Sequence, residues 1–305
     1  EQAAKNRKLR QAISIAIDWE ERFRIFPKDA GEVAMSPIPA GLYGTRHGTP
    51  AGANPVTHRV VDGQVKRRDI ADAKKLLAEA GYPDGRDAKS GKPLVLNYDY
   101  YGAPTPARKA EFDWMVKQYA KLGVQLEIRA TDNNQFQDKV RKGRHQIYWL
   151  GWLADYPDAE NFLFLLYGPN AKSKSDGENL SNFESAEYDR LFEKLKLLDD
   201  GPEKQQVIDQ MVRIVQEEAP WSFGYFPYAS GAFHQWLTNT KPAILTRDQA
   251  KYYRIDPARR VAKQAEWNQP IWWPVVLLVL ALVWVVWRAR ASFKARELAT
   301  ATAKA

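Results

Sequence analysis

No cysteine occurs in the 305 residues of this chain, which excludes thiol catalysis, disulfides and cysteine-ligated metal sites together. The absence suits an exported bacterial protein. Histidine is scarce: His47, His58, His145 and His234 are scattered, and none has a second histidine three to five residues away as a helical metal pair requires. Each reads as an ordinary core or surface histidine. A glycine-rich phosphate loop is lacking, as is a Gly-x-Ser-x-Gly nucleophile elbow. No Arg/Lys-rich tract stands beside an aromatic reading motif, so the net charge of +8 and pI near 9.4 describe a mildly basic solvated surface and no nucleic-acid partner. These gaps predict no enzyme, no catalytic residue, no metal and no cofactor, and they turn attention to binding or structure.

What the chain does have is apolar material, 45% hydrophobic residues and 12% aromatic, enough for one large or two modest domains. The most informative stretch runs from Trp149 to Phe164. It places Asp155 after an apolar run and among Trp149, Trp152 and Tyr156, a composition suited to a concave binding site. A carboxylate in such company calls for a cationic partner. Two readings of Asp155 stand side by side: ligand contact, or a local duty as cap of a helix starting near Asp158 or as partner of a nearby lysine.

Between Trp267 and Trp287 no charged residue occurs, and Val275 to Val283 is continuously apolar. About 21 residues at about 1.5 Å each span a hydrocarbon core about 30 Å thick. Trp267, Trp272 and Trp273 stand at one end and Trp284 and Trp287 at the other, where indoles prefer the headgroup boundary. A transmembrane helix over 267–288 is expected. Arg254, Arg259, Arg260 and Lys263 precede it and Arg288, Arg290, Lys294 and Arg296 follow it, so charge alone does not orient it. Its place near the carboxyl end excludes a signal peptide, and the opening Glu1-Gln2-Ala3-Ala4-Lys5 reads like the interior of a longer protein or a processed product.

In the remainder, residues 8–25 carry Leu9, Ala12, Ile13, Ala16, Ile17 and Phe23 at helical spacing. The span 27–58 is so rich in proline and glycine that a long loop is predicted. Asp69 is placed to cap a helix over 70–80. Strand and helix then alternate: strand 94–100, helix 108–122, strand 124–129, helix 135–142 capped by Asp132, and strand 146–152. That order predicts βαβ crossovers and a partly parallel sheet, with Asp155 beyond a strand's carboxyl end, where ligands of open α/β sheets collect. Amphipathic helices are predicted over 186–198 and 202–218, an aromatic segment with one or two strands over 221–236, and a polar connector over 238–266.

Taken in order, Asn6 to Asp18, Ala73 to Tyr82, Gly151-Trp152, Asp155-Tyr156-Pro157-Asp158, Asn182, Tyr188-Asp189 and Glu217 to Pro220 resemble the carboxyl-terminal half of the oligopeptide- and dipeptide-binding proteins of ABC importers, solute-binding family 5. The likeness covers roughly residues 6–230. It implies an α/β lobe of periplasmic-binding-protein type over 1–220 with a mixed, partly parallel sheet. Residues 221–266 would then return toward a first lobe and connect to the membrane, 267–288 would cross it, and 289–305 would form a short cytoplasmic tail. In that family the aspartate of the Gly-Trp-x-x-Asp segment holds a peptide's α-ammonium group, and Asp155 matches it. Ala159 departs from the proline of many relatives.

The resemblance therefore implies a membrane-tethered peptide-binding component, with Asp155, Trp152 and Tyr156 as ligand-binding residues. It is expected in the bacterial inner membrane as a single-pass protein, the folded part periplasmic and the carboxyl terminus cytoplasmic. Expected partners are a peptide ligand, the first lobe or a precursor segment that lies outside this chain, an ABC permease or other inner-membrane subunits, and the lipid bilayer. The alternative is an accessory subunit of a membrane complex that keeps the fold without transport.

Overall fold

The computed structural model describes residues 1–27, 30–103, 105–241 and 248–302, with side chains through Arg296. Two compact units divide it, Glu1–Ser230 and Gly231–Ala305. Residues 28–29 of the predicted long loop, 242–247 of the connector and 303–305 of the tail lie outside the described residues.

The first unit opens with α1 (Gln2–Ala16) and α2 (Trp19–Ile25), two helices where the apolar spacing predicts one. Asp18 makes the break. Its backbone is extended and its carboxylate accepts the Glu21 amide at 2.8 Å, so it starts a new helix instead of continuing the old one. The proline- and glycine-rich span that follows holds a short strand, β1 (Gly31–Val33), and a single 3-10 turn at Pro50–Gly52. Next comes a hairpin, β2 (His58–Val61) and β3 (Gln64–Arg67). Its two-residue turn, Asp62-Gly63, has φ of 53° and 73°, the left-handed pair whose twist matches that of the strands.

Helix α3 (Ile70–Glu79) follows Asp69, but that carboxylate makes no cap bond and instead takes the Arg59 guanidinium at 2.9 Å. The alternating region then forms as predicted: β4 (Val95–Tyr101), α4 (Pro106–Ala120), β5 (Gln125–Thr131), α5 (Asn133–Arg141) and β6 (Ile147–Tyr148). The strands lie in the order β5-β4-β6, all parallel, with Tyr98 opposite both Ile128 and Ile147. Alternate side chains of β4 serve different neighbours. Tyr98 and Tyr100 meet Phe112 of α4, while Tyr101 meets Phe136 of α5. Asp132 caps α5 as expected, accepting the amides of Asn134 and Gln135 at 3.0 Å.

Strand β6 is shorter than the predicted 146–152. The Gln146 side chain, through Oε1, occupies the Asn97 amide at 2.8 Å, and after Tyr148 the chain leaves the sheet because Trp149 stacks on Tyr225 at 5.4 Å. Two short helices, α6 (Glu160–Leu163) and α7 (Lys172–Ser175), lead to α8 (Ala186–Leu195) and α9 (Pro202–Glu218). Ser185 caps α8, and Ala219, left-handed at φ 47°, ends α9 before Pro220. Strand β7 (Tyr225–Pro227) returns to pair with β1, so residues 221–230 lie in the first unit.

Two cores hold this unit together. One joins α1, α3 and α4 to the sheet through Ile15, Leu77, Phe112, Leu122 and Leu126. The other packs α6, α8 and α9 through Leu163, Tyr188, Leu195, Ile208 and Met211. Leu163 and Met211 have no exposed surface, and burial of such a side chain contributes about 1.5–3 kcal/mol.

The second unit contains a short pair, β8 (Leu237–Thr238) with β9 (Arg254–Ile255), then α10 (Pro257–Trp267) and α11 (Trp273–Thr302). The uncharged stretch from Trp267 is thus not one helix, since α10 ends on Trp267 and the chain bends through Asn268–Trp272 before α11 begins. Residues Trp273–Arg296 are long and apolar enough to cross a membrane, about 36 Å of helix at 1.5 Å per residue.

Candidate functional site

The segment beyond Tyr148 takes its shape from three anchors. The first is Trp149, whose ring lies 5.4 Å from both Trp19 and Tyr225. Gly224 is required beneath it, because a Cβ there would come within 2.3 Å of the indole. Arg22 completes this cluster, buried to 3% exposure, its guanidinium 4.5 Å from the Tyr225 ring centre and paired with Glu111.

The second anchor is Asn161, only 2% exposed. Its side-chain oxygen accepts the Trp152 indole N–H at 3.1 Å and the Asp155 backbone N–H at 2.9 Å, so one buried amide closes the loop at two points. Trp152 is half-buried and meets Phe164 edge to face at 5.5 Å. Sequence reasoning misses Asn161. Its position inside the stretch is visible, but bonds reaching back six and nine residues leave no periodic signal.

The third anchor is Asp158. One of its oxygens accepts the Glu160 amide at 2.9 Å and the other takes the Lys204 ammonium at 2.7 Å. Burial opposes charge on Lys204, yet its bonds to Asp158 and Asp200 outweigh that and hold its pKa above the usual lysine value. Asp158 therefore performs both local duties that the sequence allowed for Asp155: it satisfies an amide at a helix start and pairs with a lysine.

Asp155 does neither. Its backbone is held by Asn161 while its carboxylate is exposed, and among the described residues no cation or amide is bonded to it. Tyr156 is 43% exposed, and its hydroxyl donates to Glu160; partial burial and then that bond push its pKa up. Leu150 and Leu153, 52% and 76% exposed, show apolar surface on the same segment. The composition suggested a concave site, but here the segment forms open surface. A cleft of about 710 Å³ lies elsewhere, between the 36–52 loop and α9, lined by Ile38, Arg46, Asp209, Val212 and Gln216 among others. Among the described residues no cluster of three or more acids and histidines could hold a metal.

The other residues of the ordered motifs are structural. Arg10 donates to the Glu218 and Ala219 carbonyls at 2.8 and 3.0 Å and Gln11 to that of Glu217 at 2.6 Å, which satisfies the last carbonyls of α9. The Tyr188 hydroxyl donates to the Leu163 carbonyl at 2.7 Å, and Asp189 accepts the Gly168 amide at 2.8 Å. Asn182, at φ 51°, accepts from the Ser173 amide and hydroxyl.

The model of the bacterial extracellular solute-binding proteins, family 5 Middle, matches residues 1–174. Heme-binding protein A of Haemophilus influenzae is 27% identical over 227 residues, covering 73% of this chain and 38% of its own length. A dipeptide-binding protein of Pseudomonas aeruginosa is 24% identical over 264 residues, covering 86% of this chain and 43% of its own. Among solved structures, the Escherichia coli murein tripeptide binding protein superposes with a TM-score of 0.63 at 21% identity, over 83% of this chain and 46% of that one. A periplasmic binding protein of Helicobacter pylori in complex with a peptide superposes with a TM-score of 0.57 at 22% identity, over 74% and 39%. The fold is that of an α/β periplasmic-binding-protein lobe, and the chain spans less than half the length of these relatives.

Proposed function

This chain belongs to family 5 of the bacterial extracellular solute-binding proteins, a family of binding proteins and not of enzymes, and on that premise we propose that it is the membrane-tethered, carboxyl-terminal lobe of the peptide-binding component of an ABC importer. Residues 1–230 form the lobe, 231–272 lead back toward a first lobe and on to the membrane, and α11, which begins at Trp273, crosses it toward a cytoplasmic carboxyl terminus. Peptide is the ligand class because relatives carry the names dipeptide-binding and oligopeptide-binding protein. Asp155 receives the α-ammonium group, with Trp152 and Tyr156 beside it.

One observation carries this reading: Asp158 takes the amide and the lysine, which leaves Asp155 backbone-fixed with a carboxylate free for a ligand. Magnitudes explain why a first lobe is needed. Two unit charges at 4 Å attract by about 1 kcal/mol in bulk water but about 4 kcal/mol at an effective dielectric near 20. An exposed pair nets about 0–1 kcal/mol. A second lobe closing over Asp155 would exclude water and turn a weak contact into an anchor.

Calorimetric titration of the two-lobed protein with di- and tripeptides tests this, with haemin as the competing ligand suggested by the haem-binding relative. Peptide binding is expected. Haemin binding without peptide binding would overturn the peptide assignment. A second reading, an accessory subunit of a membrane complex, is favoured by the exposed Leu150 and Leu153, which suit a protein contact. Co-purification from solubilised membranes with subunits other than an importer would support it.

A further inference from the structure

Helix α10 is an amphipathic element that the binding function does not use. Asp256 caps it by accepting the Arg259 amide at 3.0 Å. At about 100° per residue, Pro257, Ala258, Val261, Ala262 and Ala265 fall within an arc of about 140°; Gln264 and Glu266 adjoin its two edges, and Arg260 and Arg259 stand next, about 60° beyond them. Every residue of that arc is exposed, Val261 to 66%.

The arc's direction is set by the end of the helix. Trp267 lies about 150° around from the arc's centre, and its ring meets Trp236 at 5.3 Å and His234 at 5.7 Å. The apolar arc consequently faces away from the aromatic contacts of its own unit.

Charge separates the arginines from the other ionic groups. Lys263 is committed to Glu266 at 2.7 Å, whereas among the described residues neither Arg259 nor Arg260 has an acidic partner. With Glu266 neutralised by Lys263, two uncommitted guanidiniums flanking the apolar arc match an anionic lipid surface, with the arc in the acyl boundary and the arginines at the phosphates. Continuity supports the same occupant. Only Asn268–Trp272 separate α10 from α11, and Trp272 and Trp273 are 65% and 67% exposed where the span begins.

We propose that α10 is an interfacial helix that lies in the plane of the bilayer surface and binds the headgroups of anionic phospholipids through Arg259 and Arg260. The inference rests on the reading of α11 as a membrane span.

The chain's lack of cysteine supplies the experiment, because a single introduced cysteine carries the only label. The full chain is reconstituted in nanodiscs of phosphatidylcholine alone or equimolar with phosphatidylglycerol, with an environment-sensitive fluorophore on Val261→Cys, Lys263→Cys or Leu280→Cys. In the anionic discs the probe at 261 should shift to the blue and resist iodide, while that at 263 stays open to it. The pair R259Q and R260Q should move the 261 probe about 25-fold toward water, about fivefold per arginine. A 261 probe open to iodide in anionic discs, with the 280 probe shielded, overturns this inference alone. A 280 probe open to iodide overturns the span itself. Equal shielding at 261 in micelles and neutral discs indicates a protein contact and also overturns the proposal.

Discussion

The Lys204 ammonium lies 2.7 Å from an Asp158 carboxylate oxygen, whereas among the described residues the Asp155 carboxylate has no such partner. The Lys204 side chain is 7% exposed and Asp158 32%, so the contact is sheltered from water. Lys204→Ala should destabilise the first unit by about 1–3 kcal/mol, the cost of leaving a sheltered acceptor without its partner. Thermal denaturation followed by circular dichroism checks this, and an unchanged midpoint would mean that Asp158 does not rely on Lys204.

Asn161→Ala removes the acceptor of both the Trp152 indole and the Asp155 amide. A loss of about 1–3 kcal/mol is expected. Hydrogen exchange should speed up in peptides covering residues 150–160 more than in those of α8 or α9. Uniform acceleration would show a global effect and not a loop anchor.

Gly224→Ala places a methyl within 2.3 Å of the Trp149 ring. Overpacking of this kind costs about 1–3 kcal/mol. Because Trp149 stacks on Tyr225, the near-ultraviolet dichroism of the aromatic cluster should change while the far-ultraviolet signal persists. An unaltered near-ultraviolet spectrum would contradict the packing described.

Glu20 gives a pH dependence of definite sign. Its hydrogen bond from His58 chiefly, with Arg67 nearby, lowers its pKa from 4.5 to about 2 against the opposing effect of burial. A depressed carboxylate contributes stability that is present above the unfolded value of 4.5 and is lost as pH falls toward 2. Urea midpoints should fall over that window, and Glu20→Gln should fall less steeply than the unaltered chain. Parallel curves would show that Glu20 is not the linked group.

The βαβ region is legible in the sequence because apolar periodicity, glycine stops and the Asp132 cap all agree there. Where equally strong local signals compete, legibility fails. The apolar stripe of residues 8–25 runs through Asp18, and only the Glu21 amide bond shows that Asp18 begins a second helix. The alternation of 146–152 suits a strand, yet Trp149 finds more to pack on in Trp19 and Tyr225 than on the sheet. The Asp62-Gly63 hairpin signal stands between Val61 and Gln64, but it is short and the breaker-rich loop before it masks it.

At the site, residue types point to Asp155, but only the structure shows that Asp158 is the aspartate already paired. Both aspartates sit in one short run, and the distinction depends on Lys204, 46 residues away in sequence. Trp152 is expected from sequence to flank the ligand, and its indole N–H is already committed to Asn161.

A two-by-two calorimetric cycle tests the proposal that Asp155 holds a peptide's α-ammonium group. The two-lobed protein and its Asp155→Ala variant are each titrated with one peptide, free or acetylated at its amino terminus. For the unaltered protein, acetylation should cost about 2–5 kcal/mol, roughly 30-fold or more in affinity. The variant should bind the free peptide as weakly and lose little further on acetylation. An equal acetylation penalty in both proteins would contradict the claim.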